Sequence, residues 1–265
     1  MAGATKGGAG QAQSGQPPDG TGEAGTLNAR TVRVGTAAGL MPAYTARPDA
    51  HATAAVIVVQ EAFGVNAHIQ DVCRRVAAEG YLAVAPHLFY RTGDPDLAYD
   101  DFPAVGPRMQ ALSRGNIEDD LDATLGWLDD RGFAPRRVGI VGFCMGGSIA
   151  LFAAVAYPLG AAVTFYGGGV AEGRFGFPSL IELASGLTTP WLGLYGDKDQ
   201  GIPSDQVEAL RTAAGRSGVP SEIVRYPDAG HGFHCDARPA AYSPVAARDA
   251  WARAVSWLRL HLPEP

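Results

Sequence analysis

Lysine is almost absent from this chain. It occurs only as Lys6 and Lys198, so arginine carries nearly all the positive charge, which we read as coding bias rather than chemistry. The formal charge is −6 and no basic run stands out. That argues against a nucleic-acid partner or an anionic membrane surface. No stretch is long and apolar enough to span a bilayer, and the N-terminus lacks the apolar segment of a secretory signal. Residues 1–26 are mainly Gly, Ala, Gln, Ser, Thr and Pro. Such a segment cannot bury enough surface to offset its ordering entropy, so a disordered tail is expected there, on a soluble, cytoplasmic protein. Cysteine is scarce too. Cys73, Cys144 and Cys235 show no paired spacing, which fits a reducing compartment and no disulfide framework. His51, His68, His87, His234 and His261 have no companion at metal-ligand spacing, so neither a metal nor another cofactor is expected.

What is present fits one large α/β domain over residues 27–265, with 46% hydrophobic residues, no internal repeat and no second linker. Thr31 to Thr36 and Ala43 to Ala46 read as two strands joined around Gly39, an antiparallel opening hairpin. Ala54 to Val59 is a continuous apolar run, the mark of a strand covered on both faces. Ile69, Val72, Cys73 and Val76 recur at helical spacing over 67–79, which puts Cys73 on a core stripe. Tyr81 to Ala85 is another buried strand, 86–115 reads as irregular, and Ile117, Leu121, Leu125 and Leu128 mark a helix. Strands follow over 138–143, 161–165, 191–195 and 222–226, with helices over 204–214 and around Trp251 to Leu258. Strands alternating with helices after an antiparallel start imply a doubly wound, mostly parallel sheet with helices on both faces. Ligands of such sheets bind beyond the carboxyl ends of the strands. Glu61, Cys144, Asp197, Asp199 and His231 all fall at those ends.

The segment Val138-Gly-Ile-Val-Gly-Phe-Cys-Met-Gly-Gly147 carries the most chemistry. It reads as a buried strand running into a tight turn with Cys144 at the tip. It fits Gly-x-Cys-x-Gly, the nucleophile-elbow pattern with cysteine in place of the usual serine. The small residues let the backbone hold the tip in a strained conformation. A helix follows, and its dipole favours a thiolate. Taken alone, the same turn would also suit a packed cysteine or a phosphate cradle. The rest of the chain tips the balance. A thiol nucleophile needs a base, and the base needs a group that fixes its tautomer. An acid in Gly196-Asp-Lys-Asp-Gln-Gly-Ile-Pro203 and then His231 in Ala229-Gly-His-Gly-Phe233 follow Cys144. Nucleophile, acid, histidine is the order of the α/β-hydrolase fold. Asp199 is preferred over Asp197, although either could cap the helix near Ser204.

These motifs resemble the dienelactone hydrolase family, the carboxymethylenebutenolidases. The likeness covers roughly residues 30–260 and rests on Gln60-Glu-Ala-Phe-Gly-Val-Asn66, Gly80-Tyr-Leu-Ala-Val-Ala-Pro86, Gly142-Phe-Cys-Met-Gly-Gly147, the Asp199 loop and Ala229-Gly-His-Gly-Phe233. The resemblance implies that Glu61 contacts the resting thiol and helps form the thiolate when substrate shifts it. Glu61 could otherwise cap the helix after Asn66. The oxyanion hole would be the N–H groups of Met145 and Ala62. Phe63 and Tyr166 would line the pocket. Family members acting on dienelactone hold its carboxylate with two arginines. Arg91 matches one of these. Cys235 stands at the other's place, with Arg238 near but displaced, which argues against dienelactone itself.

The leading expectation is a cysteine-dependent hydrolase that opens a small lactone or activated ester through a thioester. One alternative is a biosynthetic enzyme that closes, opens or rearranges a lactone or polyketide intermediate. The other is a non-catalytic binding protein on the same scaffold. The partner is a small molecule, and a monomer is the simpler expectation.

Overall fold

The structure is a computed structural model that describes residues 1–3, 27–95 and 97–263. Nearly all of the tail expected over 1–26 lies outside the described residues. Eight strands form one sheet in the order β1-β2-β4-β3-β5-β6-β7-β8. β1 (Asn28–Thr36) and β2 (Gly39–Arg47) form the antiparallel hairpin, and β2 pairs antiparallel with β4 (Leu82–Pro86). β3 (Ala55–Val59), β5 (Val138–Phe143), β6 (Ala161–Phe165), β7 (Trp191–Gly196) and β8 (Ser221–Tyr226) complete a parallel run with β4. This is the α/β-hydrolase fold.

The apolar β3 run explains why helices lie on both faces. Ala55, Ile57 and Val59 point into one core, against α3 (Arg114–Asp129) and α4 (Met145–Ala156). Val56 and Val58 point into the other, against α1 (Ala67–Ala78) and α7 (Pro244–His261). The two-residue period of a strand makes that division. No helix among the described residues is long and apolar enough to cross a membrane.

Two expectations change here. Residues 86–115 are not wholly irregular: α2 spans Phe102–Ala111. Asp101 caps it by accepting from the Ala104 N–H at 3.2 Å. Pro103 lies in its first turn, where a missing N–H costs nothing. The two prolines and a single buried residue, Val105, hid the helical period. At α1 it is Asn66 that caps, accepting from Ile69 N–H at 3.2 Å, so Glu61 is not the cap.

The site is placed by the order of strands. β4 lies on one side of β3 and β5 on the other, so the chain reverses its direction of travel between β3 and β5. A crevice opens at such a reversal. Its two lips are the β3 end, which leads into Glu61, and the β5 end, which leads into Cys144. Gly146, in the first turn of α4, brings them together. A Cβ there would run into the carbonyls of Val59 and Gln60. A Cβ on Gly142 would likewise strike the Gly146 carbonyl. The segment tolerates only glycine at these two points because backbone passes against backbone.

Candidate active site

Cys144 has φ +54° and ψ −114°, a conformation a non-glycine residue rarely adopts and which costs roughly 1–3 kcal/mol. The surroundings impose it. Its N–H donates to the Phe165 carbonyl at 3.0 Å, and its own carbonyl accepts from the N–H groups of Gly147 and Ser148. Behind the turn, the Trp191 Nε1–H donates to Thr164 Oγ1 at 3.0 Å, and that hydroxyl donates to the Gly147 carbonyl at 2.9 Å. The turn is thereby tied to β6 and β7.

His231 Nε2 lies 3.1 Å from Cys144 Sγ, and its Nδ1 lies 2.6 Å from Asp199 Oδ2. Asp199 is buried, and its other oxygen accepts from the Gly201 N–H at 2.9 Å. Neither aspartate caps α6 (Ser204–Ala214), whose N-cap is Pro203. Asp197 is instead paired with Arg225 at 2.6 Å. Of the two acids the sequence offered, Asp199 is therefore the one on the histidine. Burial alone would pull the imidazole down. Hydrogen bonds to Asp199 and Cys144, and the charges of both, outweigh it and hold His231 at about 10.

Glu61 is buried at the end of β3. Its Oε1 accepts from the Tyr166 hydroxyl at 3.1 Å, and its Oε2 has no partner among the described residues. Among the described hydrogen bonds none joins Glu61 to the thiol, whose sulfur lies on His231. The N–H groups of Met145 and Ala62 donate to no described backbone carbonyl. The closeness of α4 to β3 at Gly146 sets both beside the crevice. Among the described residues, no group of three or more His, Cys, Asp or Glu is placed to hold a metal ion.

The residues expected to touch substrate divide. Arg91 is not a free anion clamp. Its Nη1 and Nη2 donate to Asp120 at 2.6 and 2.9 Å, and that carboxylate is fully buried in α3. Burial raises the Asp120 carboxyl, and the Arg91 fork opposes this. Tyr166 does not line an open pocket either. It is fully buried at φ +39°, edge-on to the His231 ring, with its hydroxyl on Glu61. Phe63 packs against Tyr99 and beneath the Arg238 guanidinium. Arg238 comes within 3.1 Å of where a Gly232 Cβ would stand, next to His231. Cys235 donates to the Tyr99 hydroxyl at 3.4 Å, and burial, with the Glu61 charge, pushes its thiol up to about 12.

The sequence pattern of the dienelactone hydrolase family matches residues 41–262. A Salmonella typhimurium protein provisionally named carboxymethylenebutenolidase is 44% identical over 222 residues, 82% of each chain. A Bradyrhizobium protein provisionally named 2-oxo-3-(5-oxofuran-2-ylidene)propanoate lactonase is 32% identical over 235 residues, 87% of this chain and 94% of its own. A crystal structure of a protein from Klebsiella pneumoniae, provisionally named dienelactone hydrolase, is similar at a TM-score of 0.81 and 41% identity. It covers 88% of this chain and 98% of that one.

Two outcomes follow from this geometry. Arg91→Met strands Asp120 without its fork and lowers stability by about 3 kcal/mol in urea unfolding, with KM for an ester changed by less than about twofold. A fully stable variant with a strongly raised KM would return Arg91 to anion binding. The second concerns His231, which is raised in the folded state from an ordinary 6.5 to about 10. A group raised on folding stabilises fully below its unfolded value and loses that contribution as pH climbs through its folded value. The urea midpoint advantage of wild type over His231→Gln is therefore largest near pH 6.5 and fades towards pH 10. An advantage constant across that window would contradict the assignment.

Proposed function

The chain belongs to the dienelactone hydrolase family of carboxylic ester hydrolases, and we propose that it opens a small lactone or activated ester through a thioester on Cys144. The observation that carries this reading is the aligned set of Cys144 Sγ, the His231 ring and Asp199, at 3.1 and 2.6 Å, with the sulfur on a strained turn at a helix start. An imidazolium on the sulfur favours its ionised form. The thiolate adds to the carbonyl carbon, and the oxygen that becomes negative is received by the Met145 and Ala62 N–H groups. Losing one such donor costs on the order of 3 kcal/mol in the barrier. Collapse breaks the C–O bond, His231 gives its proton to the leaving oxygen, and the acyl group stays on sulfur. His231, now neutral, takes a proton from water. The hydroxide attacks the thioester, and the thiolate leaves. Asp199 holds the ring in the required tautomer throughout.

A thiol suffices where the leaving oxygen is a stabilised enolate or aryl oxide. In a lactone that oxygen stays tethered, so re-closure competes with hydrolysis. Glu61 enters when substrate binding shifts it towards the sulfur, where it helps form the thiolate. It is buried, holds Tyr166 through one oxygen and has no partner for the other among the described residues. The lactonase name of the Bradyrhizobium relative supports a lactone substrate. Dienelactone itself is disfavoured, because Arg91 is committed to Asp120 and Cys235 stands where a second arginine would be needed.

The test is turnover of dienelactone and simple aryl esters by wild type and Cys144→Ala. The variant is expected to lose at least about 1,000-fold in kcat/KM while keeping its fold. Undiminished turnover would sink the mechanism.

A further inference from the structure

At the opposite end of the sheet from Cys144, a cavity of about 290 Å³ opens between the hairpin and the last turn of α3. It is lined by Leu82, at the start of β4, and Ala52, just before β3. The residues of the proposed acyl-transfer centre follow the ends of their strands instead.

The hairpin register explains the charge of this cavity. Arg30 lies opposite Thr45, and Arg47 lies two residues further along β2. Residues two apart share a face of the sheet, so the two guanidinium groups project to the same side as diagonal neighbours, about 7–8 Å apart at the backbone. Arg131 and His51 complete the rim. The Arg131 guanidinium is 3.7 Å from the centre of the Trp127 ring and donates to the Trp127 carbonyl at 2.8 Å. Among the described residues, no Asp or Glu lines the cavity. Arg30, Arg47 and Arg131 form no ion pair among the described residues, whereas Arg75, Arg91, Arg225 and Arg253 each meet a carboxylate. The nearest acids in sequence, Asp49 and Asp130, are exposed and outside the lining.

In a chain of net charge −6 this is a local concentration of cations without counter-charge among the described residues. Like charges that are diagonal neighbours on one sheet face repel weakly across water, and an anion between them relieves that repulsion. The floor is of a different character. Ala52, Leu82 and Phe133 are buried there, with Trp127 as a half-buried wall. The volume is at the small end of ligand sites, which begin near about 300 Å³.

We propose that this cavity is a second ligand site, specific for a small planar organic dianion. The flat body lies against Trp127 and Phe133, and a phosphoryl or paired carboxylate group is held by Arg30, Arg47 and Arg131. Guanidinium forks match both groups. The site stands apart from the nucleophile and does not depend on how Cys144 acts.

Phenyl phosphate is a suitable probe because it offers no carbonyl to a thiol. Calorimetric titration of the full chain is expected to show one-to-one binding that weakens with added salt. The double variant Arg30→Gln/Arg47→Gln should bind at least about tenfold more weakly. Inorganic phosphate, which has no flat body, should bind wild type at least about tenfold more weakly than the probe. The ligand-free double variant should melt at or above the wild-type temperature, since a repulsion is removed, and should keep its ester turnover. Equal probe affinity in wild type and variant, or no binding at millimolar probe, would overturn the proposal. So would a ligand-free variant that melts lower, because the arginines would then be structural.

Discussion

The contact between the first turn of α4 and the carbonyls that end β3 governs the rest of the site. Gly146 has no side chain to hold these backbones apart, and nothing larger fits against Val59 and Gln60. Because they touch, the start of α4 and the end of β3 meet although they lie more than eighty positions apart in sequence. The same approach forces the chain to turn sharply after Phe143, and the turn leaves Cys144 in its strained backbone state. That strain of roughly 1–3 kcal/mol is small against the buried helix that imposes it, in which every residue from Met145 to Ala154 is inaccessible.

Around this contact, charge is arranged so that the histidine is the group that responds. Asp199 uses both carboxylate oxygens, one on His231 and one on backbone, and is held in the wall at the end of β7. Glu61 is the opposite case: a buried carboxylate with one hydroxyl donor and, among the described residues, no partner for its other oxygen. Tyr166, itself at positive φ, touches both Glu61 and His231: its hydroxyl donates to Glu61 and its ring lies edge-on to His231, so the two share one neighbour.

Local features were legible in the sequence, and pairings across the fold were not. The elbow, the β3 run and the α6 boundaries follow from short-range pattern, because small residues, β-branched runs and spacing act over a few positions. The preference for Asp199 over Asp197 agrees with the geometry, and Arg225 on Asp197 supplies the physical reason. Arg91 shows the limit. Its motif pointed to an anion in the crevice, but its partner is a carboxylate on α3, and no local pattern announces a buried ion pair. Tyr166 read as a rim aromatic because its position at a strand end is visible in sequence while its positive φ is not. α2 is hard to read in the sequence, since prolines that suit a first helical turn also mark loops.

The most direct test of the account is mass spectrometry of the protein quenched during turnover of an aryl ester or lactone. An acyl mass on the peptide that contains Cys144, released by hydroxylamine and absent in Cys144→Ala, is the predicted result. Turnover with no acyl adduct on that peptide, or an adduct on another residue, would contradict it.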